Sequence, residues 1–328
     1  MLVLILVLIP IVVESRIEVD ITVKSNGTDV TVNASYSGSD DRLVTDEHLK
    51  LFDVTKAKLD KGMRVELGKV PDDIFIRNPT PYGDLFTKFD WEQMKRKLTI
   101  VNAKIIDIVN QDIVLDTHEH INNTTNIVTA KRSMYKIMDN SISSTWSKTG
   151  LPADNAQTTF ILNFEGGKAK VVQKWRNEST QNFKIPVGIT NKGLITIVPK
   201  QTAVTKLIVS NTIILIQIIY KAELSGSVIG NYAELYGKYH YWAPSVKNIL
   251  KAAKVKNEIF TTEVVELRCY TRPRLAVFDK TTGGAVEAKR KRPRMKIIRN
   301  NNETRIFYTK TKKQKKNKKI KKNPQISI

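Results

Sequence analysis

Asp116, His118 and His120, in the run DTHEH, are the residues of this chain whose types and spacing come nearest to metal chemistry. On a strand, alternate residues share one face, so the three would stand together. Spacing supplies no fourth ligand, and a solvated strand face is the better account. No GxSxG turn, HExxH helix or phosphate-cradling glycine loop occurs, which removes the commonest hydrolase, zinc-protease and nucleotide-binding classes. The one cysteine, Cys269, excludes an intramolecular disulfide and sits in the alternating run TTEVVELRCY, where a structural role is expected. The sequence therefore reads as not an enzyme and as needing no cofactor.

One stretch has the pattern that a membrane-inserting hairpin would need, though on its own residues a soluble half-buried hairpin is the better account. Thr158 to Trp175, TTFILNFEGGKAKVVQKW, reads as a β-hairpin turning at Gly166-Gly167. Folded there, Phe160, Leu162, Phe164, Val171 and Trp175 share a mostly apolar face with Thr158, Ala169 and Gln173. Asn163, Lys170 and Lys174 fall on the other face, and Glu165 lies opposite Lys168 at the turn. Eight residues per arm span about 26 Å, close to the ~25 Å apolar band of a membrane barrel. A hairpin half-buried on a soluble sheet has the same alternation.

Charge divides the chain. The net charge is +22, but Lys289 to Ile328 hold 17 of the 54 Lys and Arg and only one acid, leaving 37 basic against 31 acidic residues before them. Dense like charge and few apolar residues predict a disordered tail over 280–328. Its clusters, Lys289, Arg290, Lys291, Arg292 and Arg294, then Lys312, Lys313, Lys315 and Lys316, would attract anionic polymers or lipid, if the tail has any partner at all. Specific nucleic-acid recognition is not expected.

The positioning elements follow in order. Residues 1–15 open with MLVLILVLIPIVV, too short to span a bilayer and placed as a signal peptide cleaved before Arg16. Secretion makes the sequons at Asn26, Asn33, Asn122, Asn123, Asn177 and Asn302 candidate glycosylation sites. Residues 16–69 read as an N-terminal hairpin turning at Asn26-Gly27, followed by one helix over 46–63 capped by Thr45. Prolines at 71, 79 and 81 make 70–86 loop-rich. Long strand patterns then run over 98–115, 140–149, 185–199, 207–220 and 260–270, with no βαβ rhythm.

Five segments in this order resemble a known family: VPDDIFIRNPTPYGDLF, NSISSTWSKT, ITIVPKQTAVTKLIVS, IIYKAELSGSVIGNY and GKYHYWAPSVKNIL. They are similar to spherulin-type secreted proteins, including insect follicular epithelium yolk protein subunits. The C-terminal half of those proteins resembles aerolysin-like β-pore-forming toxins of the epsilon-toxin and mosquitocidal-toxin group. The resemblance covers about Val70 to Tyr270. It implies a mainly β fold, with an elongated aerolysin-like antiparallel β-domain over 70–279. It also implies a hairpin, flanked here by Ser141 to Thr149, that detaches and pairs with other copies as a transmembrane barrel. Membrane lipid or a surface glycan, and a homo-oligomer, are the implied partners. The alternative is a yolk, eggshell or other extracellular structural protein that keeps the fold without pores.

Overall fold

The computed structural model describes residues 16–26, 29–286, 294–300 and 303–309. Segment 1–15, Asn302 and the clusters Lys289–Arg292 and Lys312–Lys316 lie outside them.

The described strands are β1 (Ile17–Asn26), β2 (Asp29–Ser37), β3 (Ser39–Leu43), β4 (Asp73–Phe75), β5 (Lys95–Ile121), β6 (Val128–Trp146), β7 (Gln157–Phe164) and β8 (Gly167–Lys174). They continue with β9 (Gln181–Ile197), β10 (Thr202–Ser225), β11 (Ile229–Tyr236), β12 (Tyr239–Trp242), β13 (Ile259–Asp279), β14 (Arg294–Asn300) and β15 (Glu303–Thr309). The helices are α1 (Asp46–Leu51), α2 (Lys56–Leu67), α3 (Leu85–Lys88) and α4 (Val246–Ala253). The protein is mainly β.

The strands form sheets ordered β2-β1-β7-β8, β3-β5-β10-β13-β6-β9, β12-β11-β4 and β14-β15. In the six-stranded sheet, β3–β5 and β13–β6 are antiparallel. The chain divides into two compact units. Among the described residues, one comprises those of 16–118, 133–190 and 205–276; the other comprises those of 119–132, 191–204 and 277–309. The first holds the main core, in which Ile17, Val19, Ile21 and Val23 of β1 meet Ile214, Ile216 and Ile218 of β10 and Val265, Leu267 and Cys269 of β13. Residues 16–69, expected as a region of their own, thus share one core with the later strands. In the second unit Ile195, Ile197, Ala203 and Val277 form a small cluster.

The expected N-terminal hairpin is present, but Asn26, expected in the turn, is the last paired residue of β1, opposite Asp29. The expected single helix is two. Thr45 caps α1, its hydroxyl accepting from His48 N, but the helix ends at Phe52 and Thr55 caps α2. Asp53, at φ 56°, turns the chain between them. Arg294–Asn300 and Glu303–Thr309 pair antiparallel, with Ile297 opposite Ile306. The alternation in RMKIIRN and ETRIFYT competes there with like-charge repulsion.

The sequons separate by environment. Asn122 is buried, its amide donating to the carbonyls of Asn126 and Ile197 at 2.9 Å, so it cannot carry a glycan in this fold. Asn33 and Asn123 are exposed, Asn177 is half-buried, and Asn26 is the last residue of β1. Expressed through a eukaryotic secretory route, the folded protein is expected to carry glycan at Asn33 or Asn123 and none at Asn122. Peptide mass mapping checks this, and an occupied Asn122 on folded protein would contradict it.

Candidate membrane hairpin

β7 and β8 form because β-branched and aromatic residues alternate with polar ones on both sides of Glu165-Gly166. The observed register pairs Phe164 with Gly167, Leu162 with Ala169 and Phe160 with Val171. The turn therefore centres on Glu165-Gly166 rather than Gly166-Gly167, and each partner is displaced by two residues. A slip of two preserves the faces. Neither glycine takes the left-handed backbone expected of that turn. Gly166 is needed for another reason: a Cβ there would collide with the carbonyl oxygen of Pro186, and Gly167 has no such neighbour. Gly166→Ala is expected to lower stability by about 1–3 kcal/mol, against a smaller change for Gly167→Ala, as measured by urea unfolding.

The amphipathic face is real, and it points inward. Phe160, Leu162, Val171 and Trp175 lie in the main core, with Phe164 and Ala169 packed against it. Glu165, Lys168, Lys170 and Lys174 are exposed. Burying each large apolar side chain contributes roughly 1.5–3 kcal/mol.

Three sets of contacts clamp the hairpin. Along its length β7 runs parallel to β1, Ile17 opposite Thr158 and Thr22 opposite Asn163. Arg16 Nε donates to Thr159 Oγ1 at 2.6 Å and Asn163 Nδ2 to Asp20 Oδ1 at 2.9 Å. At the tip, Glu165 Oε1 accepts from Ser25 N at 2.7 Å, and Phe164 stacks on Phe183. At the foot, Trp175 meets Trp146 edge-on, with ring centres 5.2 Å apart, and Tyr220 at 6.0 Å. Arg176 follows at φ 57° and donates to the carbonyls of Leu151 and Ser147.

Beneath the foot runs a polar seam that the sequence did not disclose. Glu263 of β13 is fully buried, its Oε2 accepting from Tyr220 Oη at 2.7 Å. Tyr220 Oη lies 3.3 Å from Thr158 Oγ1 of β7, and Ser144 Oγ donates to Gln173 Oε1 of β8 at 3.2 Å. Burial pushes the Glu263 carboxyl up to about 7, partly opposed by the Ser144 and Tyr220 hydroxyls. Burial and the neighbouring Glu263 charge push the Tyr220 phenol up as well. The polar members of the hairpin's apolar face, Thr158 and Gln173, are the ones that meet this seam. Only strands far apart in sequence bring these groups together, so spacing gave no signal.

No protein-family model matches the chain. Over 247 residues it is 21% identical to U-megalopygitoxin(8)-Mo12 of Megalopyge opercularis, covering 75% of this chain and 86% of that protein. It is 20% identical to U-megalopygitoxin(8)-Mc8 of Megalopyge crispata, with the same coverage of each. Among solved structures it matches the Bacillus thuringiensis toxin parasporin-2 at a TM-score of 0.44 and 13% identity, over 73% of this chain and 97% of that one. The Mpp75Aa1.1 β-pore-forming protein of Brevibacillus laterosporus matches at 0.42 and 12%, over 74% and 93%. Among the described residues no helix is long and apolar enough to cross a membrane, a statement that does not bear on strands.

Proposed function

We propose that this chain is a secreted, toxin-like, non-enzymatic protein with an aerolysin-like domain, which binds membranes and inserts β7–β8 as part of a multi-copy β-barrel. One observation carries the reading. The hairpin has a mostly apolar face along both strands, broken only by Thr158 and Gln173 at its foot and buried in the protein's own core, and every charged residue of the pair faces outward or lies at the turn. Such a hairpin can exchange a protein core for a lipid one, and a closed barrel then satisfies its backbone hydrogen bonds. The toxin names of the sequence relatives agree with it. The yolk- or eggshell-protein alternative finds no support in those relatives.

Insertion requires β7 to leave β1, and that step can be locked. Thr22 and Asn163 are register partners on the half-buried outer side. Cysteines at both positions would tie the strands, and Cys269 can stay because burial raises its thiol to about 12 and keeps it unreactive. Under oxidising conditions the locked protein is expected to bind vesicles but release no entrapped dye, and reductant should restore release. Release by the oxidised form would sink the insertion reading. No release in either form, with the wild type also silent, would favour a structural protein.

A further inference from the structure

Away from the hairpin, a trough of about 470 Å3 opens between Phe89–Trp91, which follow α3, and the β11–β12 hairpin. Its walls carry the rings of Phe89, Trp91, Tyr239, Tyr241 and Trp242, with Lys238 and His240 also lining it. The rings are held in place. Phe89 stacks on Trp91 at 4.8 Å, Tyr239 meets Trp242 edge-on at 5.7 Å, and Trp242 Nε1 donates to Tyr236 O at 3.0 Å. Asp90, between the first two rings, sits at φ 56°, a left-handed turn that Asp tolerates and that sets the two rings on either side of it. Even so, Tyr239 is 59% and Phe89 40% exposed, so aromatic surface stands in water inside a concavity.

One ring of the trough already attracts a cation: Lys88 Nζ lies 5.4 Å from the centre of Phe89. A concavity walled by aromatic faces suits a quaternary ammonium group, which sheds its water easily and is drawn to the negative ring faces. An anion joined to that cation would meet the exposed ammonium of Lys238. We propose that this trough binds the phosphocholine headgroup of membrane lipids, its trimethylammonium among the rings and its phosphate at Lys238. The nearly apolar walls fit N-methyl groups better than the hydroxyls of a sugar ring. The proposal rests on the membrane-binding half of the reading above and is independent of insertion.

The test is co-flotation of the full chain with vesicles of phosphatidylcholine, phosphatidylethanolamine or phosphatidylglycerol. It is run at about 0.5 M salt, where attraction through the basic tail is screened. Phosphatidylcholine is expected to bind about tenfold tighter than phosphatidylethanolamine, and free phosphocholine should displace the protein. Tyr239→Ala and Phe89→Ala should each weaken that binding by about tenfold at unchanged thermal stability. If either variant fails to fold, Lys238→Glu, an exposed substitution that repels phosphate, serves in its place with the same expected loss. Equal binding to both zwitterionic lipids, no displacement by phosphocholine, or selective capture of a neutral oligosaccharide would overturn the proposal. Choline-selective binding without dye release would leave it standing while insertion falls. Equal release from vesicles lacking choline lipid would do the reverse.

Discussion

Raising the pH from 5 to 8 is expected to cost the native state about 2.5 kcal/mol through Glu263 alone. Its carboxyl rises from an ordinary 4.5 to about 7 in the fold, because burial beneath the hairpin foot disfavours the charge. The folded chain therefore holds this proton more tightly than the unfolded one. The stability is fully present below pH 4.5, falls as pH rises toward 7, and levels off above it. Two other groups titrate differently. His48, lowered by burial and by Arg96, destabilises as pH falls below about 6.5, which is the opposite sense. Asp112, held at about 2 by hydrogen bonds from Arg274 and Ser210, acts only below pH 4. Comparison with Glu263→Gln isolates the effect. Urea midpoints of the wild type should fall relative to the variant between pH 5 and 8, and amide protection in β7 and β8, taken relative to the intrinsic exchange rate at each pH, should fall more in the wild type than in the variant. Parallel midpoints in the two proteins would show that Glu263 does not govern the foot of the hairpin.

Leu162→Lys is expected to abolish the soluble native state, whereas Lys170→Glu leaves it within about 0.5 kcal/mol of wild type. Leu162 is fully buried in the main core, and an uncompensated charge there costs several kcal/mol. Lys170 is exposed, opposite Ile161. In dye release, silence from Leu162→Lys would therefore report lost folding before it reported a lipid-facing position. Lys170→Glu is the informative variant. It should keep release and shift the cation-to-anion permeability ratio if residue 170 faces a pore lumen. Thermal melts of both soluble forms, read beside release, check the pair. A Leu162→Lys protein with native stability would show that the apolar face is not the core described above.

Much of this was legible in the residues because it is local. The alternation of Ile17, Val19, Ile21 and Val23 marked a strand whose inward face is now seen buried. Asn26-Gly27 marked the end of that strand, Thr45 marked a helix start, and the two faces of 158–175 survived a change of register. The parallel pairing of β1 with β7 was not legible, because no short-range pattern links residues so far apart. The seam of Glu263, Tyr220 and Ser144 was hidden for the same reason. Asn122 read as a sequon, yet its buried amide holds backbone carbonyls of Asn126 and Ile197. The aromatic trough left a trace, the aromatic alternation in GKYHYWAP, but nothing in that run says that Phe89 and Trp91 stand opposite it.

The parallel pairing of β1 with β7 also bears on how the chain is made. Ile17 lies opposite Thr158, so about 140 residues must emerge from a ribosome before β1 meets its partner. At about 5–20 residues per second, that is on the order of ten seconds or more. Through this interval the β1–β2 hairpin can close, but the other edge of β1 stays open with Ile17, Val19, Ile21 and Val23 in water. An open apolar edge pairs readily with other chains. The closure is also a high-contact-order step, slow on entropic grounds. The strand that clamps the hairpin is thus the part of a nascent chain most in need of a holding partner during synthesis.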